Sequence, residues 1–229
     1  MRRVLIIASG GGHTGFARAV AQFMPFRVDF VIPKGDRQSL EMLKPYANSF
    51  YEVVKGREPG EPISRLLVNL PKALAESLSL PGYDVVIATG SNHSIFPSFA
   101  EKLRGAKVYA IESQDRFVTR GKAVSIISGF AEKVFLHWDA QRRLYPKKGE
   151  VVGPIVERPK YSPKDEGFVL VTTGSMGFMR LYLALSKLGL DNVVVQTGRV
   201  RPEEVKKLNS KWEVFSFDPN IEEWISRAS

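Results

Sequence analysis

Short aliphatic and β-branched runs recur along the chain, each followed by a glycine-bearing turn and then by apolar positions at helical spacing. That alternation builds parallel sheets covered by helices on both faces. Val4-Leu5-Ile6-Ile7-Ala8 is the first strand, and Phe16, Val20 and Phe23 share one face of a helix expected to stop before Pro25. Strands follow at Val28 to Ile32, Ser49 to Val54, Val85 to Ala88, Val108 to Ile111 and Phe130 to His137. Between them, Ser39 is expected to cap a short helix bearing Leu40 and Leu43. Ile63, Leu66, Leu67, Leu70, Leu74 and Leu78 form an apolar stripe that Pro71 should kink or divide.

Gly153 to Gly167 carries Pro154, Pro159 and Pro163 among charged residues and reads as a linker. The pattern then restarts with strands at Phe168 to Val171, Val193 to Gln196 and Trp212 to Phe217, and helices near Leu181 to Leu188, from Pro202 and at Ile221 to Arg227. The expected organisation is an α/β chain with a Rossmann-like domain over residues 1–153, a linker over 154–167 and a second Rossmann-like domain over 168–229. Three strand–helix units are few for a doubly wound domain, so the second is expected to be incomplete, or to be completed by a further segment or a partner chain.

The chain has 229 residues, 44% hydrophobic and 25% charged, with no cysteine and three histidines. This composition excludes disulfide scaffolds, thiolate chemistry and disorder, and it makes a multi-histidine metal site an unpromising reading. Residues 1–153 hold 22 basic and 14 acidic side chains, whereas residues 154–229 hold 11 and 10. The first part therefore carries the positive field, which suits an anionic partner. Arg142 to Lys148 and Arg116 to Lys122 are basic patches that can meet anionic headgroups, although a solvated face is the commoner use of such runs. No apolar run approaches the roughly 20 residues of a membrane span, and Met1-Arg2-Arg3 with its short apolar follower fails as a signal peptide, so a cytoplasmic location is expected. No nucleic-acid-binding module is recognisable.

Ser9-Gly10-Gly11-Gly12-His13-Thr14-Gly15 joins the first strand to the first helix, where glycines let a ligand approach backbone N–H groups. Gly11, Gly12 and Thr14 are its candidate phosphate contacts. Gly10, Gly12 and Gly15 also satisfy G-x-G-x-x-G, with Asp36 about 20 residues on, so a nicotinamide dinucleotide is a rival ligand. Gly90, Ser91, Asn92 and His93 after the fourth strand, candidate acceptor or phosphate contacts, and Gly174, Ser175 and Met176 after the first strand of the second domain occupy equivalent strand-end positions. Such loops would converge on a crevice between the domains.

Val4 to Gly15, Ile111-Glu112-Ser113-Gln114-Asp115-Arg116, Ala131 to Trp138, Tyr145-Pro146 and Val152-Gly153-Pro154 together resemble the membrane-associated subunit of the enzyme that adds the second GlcNAc to GlcNAc-pyrophosphate-dolichol. Val169 to Gly174, Val195-Gln196-Thr197-Gly198 and Glu222-Glu223-Trp224-Ile225 resemble its donor-binding partner. The chain is similar to a fusion of the two, in the order also seen in the bacterial transferase MurG. The resemblance implies a GT-B fold, with a first domain for a polyprenyl-pyrophosphate-linked acceptor, a second for UDP-GlcNAc, and peripheral association with the inner face of a membrane. It also implies that Gly174, Ser175, Met176, Gln196 and Gly198 face the donor.

An inverting transfer needs a base for the acceptor hydroxyl and stabilisation of the departing pyrophosphate. The absence of any D-x-D favours helix N-termini and basic side chains over a metal, and no cofactor is expected. His13 is the first candidate base, with capping of the helix or a bond to phosphate as its other uses. Glu112 is the second, with Arg116 as a pyrophosphate contact, a surface ion pair being the alternative for these two, and His93 either contacts the acceptor sugar or supports its loop. His137 beside Trp138 reads as packing. An acceptor-binding subunit without activity and a sugar-nucleotide epimerase are the other rivals.

Overall fold

The computed structural model describes residues 3–56 and 64–229. The chain divides into two units, Met1–Glu157 and Arg158–Ser229. The first contains β1 (Val4–Ile7), α1 (Gly12–Ala21), β2 (Val28–Pro33), α2 (Arg37–Leu43), β3 (Ala47–Val53), α3 (Ser64–Leu78), β4 (Val85–Ala88), α4 (Ile95–Leu103), β5 (Lys107–Ile111), α5 (Lys122–Ser128), β6 (Lys133–Leu136) and β7 (Gly149–Val151). The second contains β8 (Val169–Thr172), α6 (Met179–Ser186), β9 (Val193–Gln196), α7 (Pro202–Lys206), β10 (Glu213–Phe215) and α8 (Ile221–Arg227).

The first unit is a seven-stranded sheet in the order β3-β2-β1-β4-β5-β6-β7, parallel throughout. Alternate residues of β1 explain why that strand lies at its centre. Leu5 and Ile7 enter one hydrophobic cluster with Val86, Ala88, Val124 and Ile127, while Val4, Ile6 and Ala8 enter another with Phe16, Ala17 and Ala21. A strand apolar on both faces is stable only when both are covered, and each fully covered Leu or Ile contributes roughly 1.5–3 kcal/mol. The strand order reverses between β1 and β4, so the crevice at their carboxyl ends is the expected ligand position of an open α/β sheet.

Several local details depart from the sequence expectation. Asp36, not Ser39, caps α2: its Oδ1 accepts the Ser39 N–H at 3.0 Å and its Oδ2 the Ser39 hydroxyl at 2.6 Å. The shorter reach of a carboxylate three residues upstream wins over a hydroxyl already inside the helix. α3 runs unbroken through Pro71. Proline removes one backbone donor, but Ala73 and Ser77, four apart, keep the helix seated on the protein, with the Ser77 hydroxyl donating to the Ala73 carbonyl at 2.6 Å. Of the apolar stripe, Ile63 and the side chains of Leu66 and Leu67 lie outside the described residues. Leu70 and Leu74 are half-buried and Leu78 is exposed.

Neither α5 nor β7 was expected. Residues Pro154 to Glu157 of the expected linker pack with the first unit. Ile155 joins its core, and Glu157 pairs at 2.9 Å with Arg18, a guanidinium buried in α1. The second unit is a three-stranded parallel sheet in the order β10-β9-β8. Its core gathers Tyr182, Leu185, Val193, Val195, Val205 and Trp212, and the Trp212 indole donates to the Leu190 carbonyl at 2.7 Å. No helix among the described residues is long and apolar enough to cross a membrane.

Candidate active site

The turn from β1 into α1 is shaped by backbone that only glycine adopts readily: Gly10 has φ 83° and Gly11, the residue before the helix, φ 55°. Gly11 and Gly12 are exposed, at the end of a ten-residue helix whose first N–H groups have no intrahelical acceptor. Thr14 is buried. Its hydroxyl accepts the Gly10 N–H at 3.1 Å and meets the Ser39 hydroxyl at 2.6 Å, which passes the chain of bonds to Asp36. Thr14 therefore fixes the loop's shape from beneath, and its hydroxyl is engaged within the protein.

His13 reaches across the switch point to β4. Its Nδ1 lies 2.6 Å from the carbonyl oxygen of Thr89. A carbonyl only accepts, so Nδ1 carries the proton and Nε2 presents a lone pair. Burial lowers the imidazole pKa below its usual value, and the Lys55 charge adds to that, while the Thr89 carbonyl, Glu112 and Asp115 oppose it. The ring is neutral at neutral pH, which is the form a base requires.

Gly90 makes room for this ring. With φ 100°, a Cβ there would stand 2.9 Å from His13 Cε1. Its carbonyl also accepts the hydroxyls of Ser9, at 3.1 Å, and Ser94, which lock the β4 loop to β1. Ser91 follows with φ 65° and ψ 163°, a non-glycine residue in the left-handed half of backbone space, and its Oγ accepts the His93 N–H at 3.3 Å. Strain of this kind persists where the surroundings impose it. Asn92 is exposed, whereas His93 is buried and, among the described residues, neither ring nitrogen has a partner within hydrogen-bond geometry, although the Ile32 backbone is near enough to act on the ring's charge. Burial, with Lys55 second, pushes the His93 pKa down to about 3.

Glu112 follows β5 and is wholly buried. Its carboxylate accepts the Ser113 N–H at 2.8 Å, the Gly121 N–H at 2.9 Å and the Tyr145 hydroxyl at 2.5 Å. Burial first, and that bond second, raise the Tyr145 pKa. Arg116 is exposed on the loop that Glu112 ties down. His137 sits in the core: its Nδ1 accepts the Ile155 N–H at 3.2 Å, its Nε2 donates to the Glu112 carbonyl at 3.0 Å, and Phe16 lies 5.0 Å away between ring centres.

The basic patches are partly used inside the fold. Lys148 donates to the carbonyls of Ser128 and Ala131, both at 2.8 Å, and Arg143 to the Phe117 carbonyl at 2.8 Å. Among the described residues, no three or more His, Asp and Glu side chains cluster as metal ligands do.

In the second unit the two glycine turns pack on each other. A Cβ on Gly198 would stand 2.5 Å from the Gly174 carbonyl oxygen, and one on Gly177 would strike the Thr197 carbonyl oxygen. Arg199 N–H donates to the Ser175 carbonyl at 3.0 Å. Gln196 is buried at the end of β9, accepting the Thr172 hydroxyl at 2.9 Å, whereas Met176 is exposed. Gly174, Ser175 and Gly198 are thus neighbours, and Gln196 is engaged inside the sheet.

Sequence reasoning gave no role to Gly121, Gln141 or the Thr89 carbonyl, and it named Tyr145 only within the resembling Tyr145-Pro146 motif. Only the position of Thr89 directly after a strand could have pointed to it.

No protein family matches the chain, and neither does any curated protein. Solved structures do. MurG of Acinetobacter baumannii shares 21% identity at a TM-score of 0.59, covering 99% of this chain and 71% of its own. A UDP-GlcNAc 2-epimerase from Neisseria meningitidis, solved bound to UDP-GlcNAc, shares 15% at 0.61, covering 99% and 75%. The glycosyltransferase of kitacinnamycin shares 14% at 0.58, covering 99% and 74%. The fold is of the GT-B type. At these identities the likeness is one of architecture.

Proposed function

We propose that the protein transfers N-acetylglucosamine from UDP-GlcNAc to a sugar carried on a polyprenyl pyrophosphate, with inversion and without a metal, at the inner face of a membrane. The observation that carries this reading is His13: a neutral imidazole held by Thr89 through Nδ1, its Nε2 open, beside a helix N-terminus at the switch point of the sheet. The acceptor hydroxyl gives its proton to Nε2 as its oxygen bonds to the anomeric carbon, and the bond to UDP breaks on the opposite side. In this reading the first unit holds the acceptor, with the amides of Gly11 and Gly12 toward its phosphates. The turn at Gly174, Ser175 and Met176 is its donor contact, and Gly198, buried behind that turn, supports it from beneath.

Association with the membrane is supported by α3, α4 and α5, which pack side by side and leave Val68, Leu78, Phe99, Leu103 and Ile126 exposed. Arg65, Lys72 and Lys122 on the same helices are exposed too. Apolar side chains among cations suit an anionic lipid surface.

A second reading, a sugar-nucleotide epimerase, is favoured by the likeness to the UDP-GlcNAc-bound protein from Neisseria meningitidis. The nicotinamide reading gains nothing from these neighbours, and both Asp36 oxygens are occupied by Ser39. Calorimetric titration with UDP-GlcNAc, with NADH as control, tests the assignment. Saturable binding of UDP-GlcNAc alone is expected, with turnover only when a polyprenyl-pyrophosphate sugar is added. Turnover without acceptor would favour the epimerase, absence of donor binding would favour an acceptor-binding subunit, and NADH binding would overturn all three.

A further inference from the structure

The segment between β5 and α5 is exposed at every residue from Gln114 to Arg120, yet it is tied down from below. Both its ends meet one buried carboxylate, since Glu112 accepts the N–H groups of Ser113 and Gly121 at 2.8 and 2.9 Å. Tyr145 adds a third donor from beyond β6. A Cβ on Gly121 would stand 2.7 Å from Glu112 Oε1, so a side chain there would push the carboxylate off its donors. Gln141, also wholly buried, holds the middle: its Nε2 donates to the carbonyls of Ser113 and Arg116 at 2.9 and 3.0 Å, while its Oε1 accepts the His137 N–H at 2.8 Å. The Trp138 indole donates to the Gln114 carbonyl at 3.1 Å.

A carboxylate withdrawn from water is costly unless its lone pairs are filled, so this one is kept where three donors converge. What it gains is a fixed loop. That loop carries Arg116 and Arg120, with Lys122 at its exit, and none of the three forms a salt bridge among the described residues. Arg120 lies over the Tyr145 ring, 5.0 Å from its centre, so its direction is set by the same tyrosine that serves Glu112.

We propose that Glu112 is a positioning residue: it closes both ends of loop 113–121 so that Arg116 and Arg120 meet the pyrophosphate of the acceptor. The assignment of the ligand rests on the transferase reading above, whereas the clamp itself does not. Arginine suits the task because its planar fork pairs with phosphate oxygens, but only when the backbone beneath is held.

Trypsin reads the clamp directly, since it cuts after Arg116, Arg120 and Lys122. Glu112→Gln, which also lowers the melting temperature because its amide group turns toward a donor, and the milder Tyr145→Phe are expected to be cut in this loop about tenfold faster than the wild type, and in Tyr145→Phe the melting temperature and cleavage elsewhere stay nearly unchanged. Both should also weaken binding of inorganic pyrophosphate by calorimetry and raise KM for the lipid-linked acceptor while leaving kcat close to wild type. Arg116→Gln should weaken pyrophosphate binding without speeding cleavage after Arg120. Unchanged tryptic rates in Tyr145→Phe would overturn the clamp, even if Glu112→Gln fails to fold. Wild-type protein that ignores pyrophosphate would overturn the ligand assignment. Pyrophosphate binding together with absent sugar transfer would sink the transferase reading while upholding the clamp.

Discussion

The glycines of the two units do opposite work. In the first, Gly90 leaves a space that an imidazole fills, and Gly10 and Gly11 turn the chain so that helix N–H groups stay exposed. In the second, Gly177 and Gly198 let two turns pack backbone against backbone, so the space is closed by the protein itself. The same residue type at the same strand-end position thus opens one loop and seals another.

Substitutions that fill those spaces should separate the two regions. The largest effect is expected at His13, where His13→Gln should lower transfer by roughly 10²–10⁴-fold with the melting temperature retained. Gly90→Ala comes next. Its methyl group would force the His13 ring away from Thr89, and a displacement near 1 Å should cost roughly 10²-fold in rate, measured beside circular dichroism to show the fold intact. Gly177→Ala should show the reverse, destabilising the second unit by about 1–3 kcal/mol or more in denaturant unfolding. Loss of activity without loss of stability at Gly177 would erase the contrast.

Per pH unit, the smallest effect concerns His93. His93 has a folded pKa near 3, far below the 6.5 of an unstrained imidazole. Between those values the unfolded chain binds the extra proton, so stability is full above pH 6.5 and falls as pH drops toward 3. One proton sets a slope of at most about 1.4 kcal/mol per pH unit, and His93→Leu should flatten it in urea titrations. The depressed His13 pKa likewise places the acidic limb of the rate profile below pH 6.5.

The strongly apolar strands and the loops after them were legible because burial on both faces leaves a run such as Val4 to Ile7 with no polar interruption. α5 was not, since Lys122–Ser128 mixes serines with β-branched residues and hides the spacing of Val124 and Ile127. β7 is three residues long at a sheet edge, too short to carry a pattern. His13 could be singled out from its position in a glycine loop, but its tautomer depends on a carbonyl 76 residues away. Glu112 resembled a base only while its partners were unknown: Gly121 and Tyr145 lie 9 and 33 residues along the chain. Gln196 reads as a polar strand-end residue until Thr172, from the neighbouring strand, is placed beside it.

Labelled UDP-GlcNAc incubated with a polyprenyl-pyrophosphate sugar, comparing wild type with His13→Gln across pH 5 to 8, tests the central claim most directly. Acceptor-dependent transfer is expected to fall off below pH 6.5 and to be lost, while donor binding persists, when His13 is replaced. Transfer by His13→Gln at the wild-type rate, with an unaltered pH profile, would contradict that claim.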